Sequence, residues 1–315
     1  MRIDGSSYGC VVIGAGVAGL TAAGALRDGG IPVVLLDKGR AAGGRLATRR
    51  VEGAVFDHGA QFFTARDAGF ARTAAAWRAA GVARPWFDDA LCATAGMSSI
   101  ARHLAAGLDV GLATTVTAVA RGPRGYVVTA DDGRRWEAAA VVLTAPVPQS
   151  LALLDAGGVA LDDAVRARLA AVTYERCLAG LFEAPWPAAL PAHGVARVDG
   201  DTLSWLASNR VKGLCAVDAV TAHARADWSL ARWSHDDAAV LAALAAEVAR
   251  YTGGAPRPVA LKRWRYAKPT RCLDGPVVVR DGGATLVFAG DALHRDGGRV
   301  EGAARSGLAA AAALS

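Results

Sequence analysis

The sequence predicts an α/β fold, and three observations carry that prediction. Tyr8–Ile13 is a short, β-branched apolar run of the kind that makes a strand buried on both faces. It opens directly onto Gly14-Ala15-Gly16-Val17-Ala18-Gly19, after which Leu20–Arg27 has helical character and Gly29-Gly30 stops it. A second apolar run, Ile31–Leu36, then closes on Asp37.

Strand, glycine turn, helix, strand and acid in this order make a Rossmann-like dinucleotide-binding unit. Gly14 permits the tight turn, Gly16 lets a pyrophosphate approach the backbone, and Gly19 lets helix and strand pack closely. The N-terminus of that helix, with Val17 and Ala18 in the turn leading to it, offers free N–H groups and a partial positive charge to the diphosphate. Asp37 stands eighteen residues after Gly19, where a carboxylate can accept both ribose hydroxyls.

Further along, Thr115–Ala120 and Tyr126–Ala130 are β-like runs joined through Arg121-Gly122-Pro123-Arg124, and Val141–Leu143 is a strand ending in the turn Thr144-Ala145-Pro146. Leu178–Phe182 and Thr202–Leu206 read as strands. Asp236–Tyr251 reads as an amphipathic helix with two acids at its start. Thr285–Ala289 is another strand, running into Gly290-Asp291, and Arg299-Val300-Glu301-Gly302-Ala303 opens an alanine-rich helix. There is no internal repeat and no low-complexity linker, so the domains are expected to interleave.

The chain has 315 residues, 53% hydrophobic and 20% charged, which describes a globular protein of one large or two ordinary domains. No apolar stretch reaches eighteen residues, and the N-terminus lacks the pattern of a signal peptide, so the expected location is cytoplasmic, away from membranes. The five cysteines are scattered with no CxxC pair, and the six histidines have no ligand spacing, so neither a disulfide framework nor a metal site is expected. The net charge of +6 rests on arginine, with only four lysines. The basic residues are dispersed, which argues against a nucleic-acid partner, while guanidinium groups suit a ligand bearing phosphates.

Lys38-Gly39-Arg40-Ala41-Ala42-Gly43-Gly44-Arg45, followed by Thr48, resembles the GGR motif of FAD enzymes related to amine oxidases. Gly290-Asp291 with Arg299–Ala303 is similar to the last FAD motif of the same superfamily. The resemblance implies that Lys38, Gly44 and Arg45 lie along the cofactor, with Arg45 near its phosphates and ribityl chain. It also implies that Asp291 binds the ribityl hydroxyls and that the helix N-terminus, with Arg299, Val300 and Ala303, meets the pyrimidine edge of the flavin. Val116 would contact the adenine, and Thr144 would lie on the nucleotide side.

The likeness extends along nearly the whole chain. Asp57-His58-Gly59-Ala60-Gln61-Phe62-Phe63, Gly96-Met97-Ser98, Leu203–Asn209, His223 through Trp228-Ser229 and Arg263–Ala267 together resemble the bacterial renalase-like branch of the amine-oxidase-related flavoproteins. This implies a FAD-binding domain (GR2-type, p-hydroxybenzoate-hydroxylase-like) over 1–65, 97–147 and 265–315. An α+β substrate domain with a mixed or antiparallel sheet would occupy 66–96 and 148–264. The implied reaction takes hydride from the 2- or 6-dihydro isomers of NAD(P)H to flavin N5, and O2 restores the flavin, giving H2O2 and NAD(P)+. The partners would be that dihydronicotinamide dinucleotide and O2, and the protein a monomer or homodimer. No acid–base dyad is needed, because loss of hydride makes the ring aromatic.

His58, Gly59, Gln61 and Phe62 would line the flavin; His58 could equally satisfy backbone groups, and Phe62 could equally be core. Trp205, Asn209 and Trp264 are the candidates for the substrate wall, with core packing as the alternative for each tryptophan. Arg197, Arg263 and Arg265 are either phosphate ligands or solvated arginines. Two departures from amine oxidases are visible. Arg299 stands where those enzymes carry an aromatic wall, and Cys272 lacks the flanking residues of a covalent flavin site, so the FAD is expected to be non-covalent. An amine oxidase or desaturase is the alternative, and a non-catalytic FAD-binding protein a further one.

Overall fold

The computed structural model describes residues 8–315. The chain forms two compact units, each discontinuous: one contains the residues up to Gly44, Ala101–Thr173 and Pro269–Ser315, the other Arg45–Ile100 and Tyr174–Lys268. These packing units divide the chain at other points than the functional domains expected from sequence. Residues 45–65, 97–100 and 265–268 pack within the second unit, and 148–173 within the first.

The first unit is built on an eight-stranded mixed sheet. Tyr8–Ile13 forms over the predicted residues and lies at its centre, paired in parallel with Val33–Leu36 on one side and Arg135–Leu143 on the other. Asp109–Gly111 extends the sheet in parallel beyond Val33–Leu36, and Ala284–Phe288 extends it in parallel beyond Arg135–Leu143. Val277–Asp281 closes that edge antiparallel, and the hairpin Val116–Gly122 with Gly125–Ala130 feeds antiparallel into the start of Arg135–Leu143. The second strand begins at Val33 rather than Ile31 because Pro32 has no N–H to give the ladder; its carbonyl accepts from Cys10 N instead.

Helices Val17–Asp28 and Val300–Ala312 pack on each other in this unit. Small residues allow the approach: a Cβ on Gly307 would come within 2.2 Å of the Ala18 carbonyl oxygen. Cys10, Val12, Leu20, Leu26, Leu35, Val142 and Val287 fill the core between this helix layer and the sheet.

The second unit carries a five-stranded sheet in the order Val195–Arg197, Leu203–Ser208, Ala219–Ala224, Thr173–Glu183, Arg257–Arg271. Its first four strands pair antiparallel. Helix Asp237–Thr252 covers one face with Val240, Leu244 and Val248, packed on Leu178, Phe182, Leu206 and Val220. Asp236 caps that helix by accepting from Ala239 N at 2.9 Å, and Gly253 ends it in the left-handed region at φ 69°. Helix Ala68–Ala79, which begins at the capping Asp67, and the hairpin of Thr48–Val51 with Ala54–Asp57 complete the frame of the site. Among the described residues, no helix is long and apolar enough to cross a membrane.

Candidate active site

In the first unit the glycine turn makes a cradle of backbone. Gly14 leaves the first strand at φ +110°, and a Cβ there would meet Thr144 Oγ1 at 2.6 Å. A Cβ on Gly19 would meet the Gly14 carbonyl oxygen at 1.9 Å, so packing within the protein demands both glycines. Gly16 is different: its φ of −78° suits any residue, and a Cβ there would touch nothing within 4 Å. The space beside Gly16 is open, and the helix that it caps begins at Val17 with no side chain bound to its first N–H groups. An open, uncapped helix N-terminus is what a diphosphate requires, and FAD therefore fits here.

The flanking residues gather around this turn. Asp37 accepts from Ala15 N and Gly39 N, each at 2.6 Å, so the carboxylate also holds the turn in shape. Gly43 N donates to the Ala15 carbonyl at 2.8 Å, and Gly44, at φ +53°, approaches Gly16 so closely that its own Cβ would lie 3.5 Å from Gly16 Cα. Thr144 donates its hydroxyl to the Ile13 carbonyl at 2.9 Å. Gly290, at φ +136°, faces the Thr144 carbonyl, and the buried Asp291 follows it. Val116 opens its strand two residues after Thr114, whose N–H bonds the Asp37 carbonyl at 2.9 Å. Lys38 and Arg299 are exposed, Val17, Ala18 and Val300 are buried, and Ala303 is half-buried on the last helix.

The second unit builds its site from side chains. Asp57 and Lys212 form an ion pair of 2.6 Å, with both side chains at 0% exposure. Asp57 also accepts from Thr48 Oγ1 at 2.6 Å and Met97 N at 2.8 Å. Lys212 donates further to the Gln61 carbonyl at 2.5 Å and lies 4.6 Å above the Trp86 ring. A buried pair is costly to desolvate and persists only when its remaining polar atoms are satisfied, as they are here. The pair therefore clamps both ends of the loop that carries His58, Gly59, Gln61 and Phe62.

That loop meets flat aromatic surfaces. The His58 ring stacks on Trp264 at 5.5 Å, and the His58 carbonyl accepts from Trp264 Nε1 at 2.8 Å. Burial, then the charge of Lys262, pushes the His58 pKa down to about 4, which keeps the ring neutral at pH 7. Gly59 has no room for a side chain, since a Cβ would meet the Arg45 carbonyl oxygen at 2.0 Å. Arg45 itself reaches the Ala267 carbonyl at 3.3 Å. Gln61 donates to the Asp57 carbonyl at 2.5 Å, while its own Oε1 is buried without a partner. Phe62 stacks on Trp205 at 5.5 Å and meets Phe87 edge-on.

Asn209 departs from its expected place on the substrate wall. It is fully enclosed, donating to Thr221 Oγ1 at 3.0 Å and accepting from Asp57 N at 3.2 Å. Its amide is spent fastening the Asp57 loop to the sheet. Arg263 is likewise engaged, by Asp237 and by the Trp233 and His235 carbonyls. Sequence reasoning missed Lys212, and it missed His223, which hydrogen-bonds the His58 backbone, as members of this cluster. Lys212 left one signal, a rare lysine between Val211 and Leu214 in an arginine-rich chain.

A sequence model of the family described as flavin containing amine oxidoreductase matches residues 68–315. The chain belongs to that family. It is a flavin-dependent oxidoreductase with FAD as cofactor. A model of the NAD(P)-binding Rossmann-like domain matches residues 12–78. Among solved structures, wild-type putrescine oxidase bound to putrescine is similar at TM-score 0.71 and 17% identity, covering 98% of this chain and 99% of that one. A protein of Exiguobacterium sp. 255-15 assigned as a protoporphyrinogen oxidase is similar at TM-score 0.70 and 14% identity, covering 99% of each chain. At such identities the likeness shows the fold: an α/β architecture with a Rossmann-like nucleotide-binding domain.

Proposed function

We propose that the protein is an oxidase of renalase type, which oxidises the 2- or 6-dihydro isomers of NAD(P)H to NAD(P)+. Bound FAD supplies the acceptor for two electrons and is restored by O2 with release of H2O2. In this reading the residues that hold the cofactor are Gly14–Gly19, Asp37, Lys38, Gly44, Arg45, His58, Gly59, Gln61, Phe62, Val116, Thr144, Gly290, Asp291, Arg299, Val300 and Ala303. The cofactor is non-covalent: Cys272 is packed against Gly297, where even a Cβ would lie 2.1 Å from its Sγ.

The observation that carries the choice of substrate is the charge around the two tryptophans. Arg197 lies 5.9 Å above Trp205, and Lys262 lies 4.8 Å above Trp264. The carboxylate felt by His58 is Asp57, which Lys212 already neutralises. Such a surface attracts a flat ring attached to a diphosphate and repels a protonated amine. The residues have then to stack the ring, hold its phosphates and exclude water; no proton leaves the substrate in the hydride transfer, the reoxidation by O2 takes up one proton from solution, and the two histidines of the cluster stay neutral.

The test is product analysis with purified holoenzyme. Borohydride-treated NAD(P), which contains the isomeric dihydro forms, should be converted to NAD(P)+ with one H2O2 per turnover. Recovery of the isomers unchanged would contradict the proposal. The second reading, an amine or desaturation substrate, is favoured by the family match and predicts H2O2 from an amine panel instead.

A further inference from the structure

Four strands of the second unit align a row of side chains on one sheet face. Arg197 pairs across strands with Trp205, Trp205 with His223, and His223 with Ala179. Directly opposed residues in a sheet share a face, with Cβ atoms about 5 Å apart. Phe62 stacks on Trp205, and His223 makes a backbone hydrogen bond to His58, so this is the face that the Asp57–Phe63 loop covers. Ala179, the smallest member, is fully buried at the other end of the row.

Two neighbours in this row hold buried polar atoms without partners, Trp205 Nε1 and His223 Nε2. An orphaned buried group is costly, and a fold bears that cost when a ligand supplies the missing bond. Their chemistry is opposite. The indole nitrogen only donates. His223 gives its other nitrogen to the His58 backbone, and the resulting neutral tautomer leaves Nε2 as an acceptor.

A donor beside an acceptor selects its ligand. A protonated amine has only donors and leaves the indole N–H unpaired. A carboxylate has only acceptors and opposes the His223 lone pair. A primary carboxamide satisfies both atoms at once, with its carbonyl oxygen and its N–H. We propose that Trp205 and His223 are specificity-determining residues that read the carboxamide of the substrate's dihydronicotinamide ring, Trp205 donating to its oxygen and His223 accepting from its nitrogen. The inference rests on the oxidase reading above and sharpens it. Arg197, exposed at the open end of the row, is then placed to meet the phosphates of the same molecule.

The experiment uses anaerobic stopped-flow reduction of the holoenzyme by borohydride-treated NAD and by borohydride-treated 3-acetylpyridine adenine dinucleotide, which keeps the carbonyl and lacks the N–H. The ratio of the two second-order rate constants for flavin reduction cancels the intrinsic reactivity of the rings when variants are compared. His223→Phe should shrink the preference for the carboxamide about tenfold relative to wild type. Trp205→Phe should slow both substrates by about the same factor and leave the ratio alone. A ratio unchanged in His223→Phe overturns the inference. Should that variant fail to fold, wild-type enzyme decides: nicotinic acid adenine dinucleotide, a carboxylate, should inhibit about tenfold less well than NAD+, and equal or tighter inhibition overturns the inference. If the carboxamide isomers reduce wild type but the ratio stays fixed, only this assignment fails; if no isomer reduces wild type, the oxidase reading fails first.

Discussion

The two units make their sites from different material. The first uses backbone: glycines at positions where a Cβ would collide, N–H groups at a helix start, and a carboxylate that shapes the turn. The second uses side chains brought from distant segments, with Asp57 bound to Lys212, Thr48 and Met97. A backbone site binds what every dinucleotide shares, and a side-chain site can be varied to choose a substrate. Substitutions that separate these two kinds of construction test the difference.

The largest effect is expected at Gly19. Gly19→Val places atoms against the Gly14 carbonyl, where even a Cβ has only 1.9 Å. The variant should lose both soluble folded protein and flavin, read by circular dichroism and the flavin-to-protein absorbance ratio. Lys212→Met comes next. It leaves Asp57 buried and uncompensated, which should cost about 3–5 kcal/mol in denaturant unfolding. The double variant Lys212→Met with Asp57→Leu should recover a good part of that loss, since an apolar pair needs no desolvation.

Gly16→Ala sharpens the comparison because the protein itself leaves room for the methyl group. The apoprotein should unfold at the wild-type denaturant midpoint, while FAD affinity measured by fluorescence quenching should fall by tenfold or more, about 1.4 kcal/mol. A Gly16→Ala protein with wild-type FAD affinity would mean that no diphosphate approaches this turn.

A further test is a pH dependence. The pKa values of His58 and His223 are each pushed down from 6.5 to about 4 by burial. Between those values the unfolded chain binds protons that the folded protein refuses, so stability is complete above about pH 6.5 and declines as pH falls toward 4. Thermal melts should show that decline, and it should be shallower in His223→Phe. A decline of equal steepness in that variant would remove His223 from the account.

What could be read in the sequence follows the same division. Tyr8–Ile13, the glycine turn and Asp37 lie close together in the chain, and each residue type answers a local steric or dipolar demand, so this strand–turn–helix unit was legible except for the helix start, which falls at Val17 rather than Leu20. The helix after Asp236 was also legible, because its cap and period are local. The Asp57–Lys212 pair joins residues 155 positions apart, and nothing local to either one announces the other. Asn209 was misplaced for the same reason: a polar residue after a strand looks like a pocket residue until its partners, Asp57 N and Thr221 Oγ1, are in view. His223 sits in a strand of small residues, and only the cross-strand register with Trp205 makes it part of a site.

The central claim is that an anionic dihydronicotinamide, rather than an amine, delivers electrons to this flavoprotein. Its most direct test is the visible absorbance spectrum of the anaerobic holoenzyme before and after addition of borohydride-treated NAD(P). The account predicts that the oxidised flavin bands bleach within seconds and return when air is admitted. A spectrum untouched by every isomer, in a preparation that an amine does bleach, would contradict it.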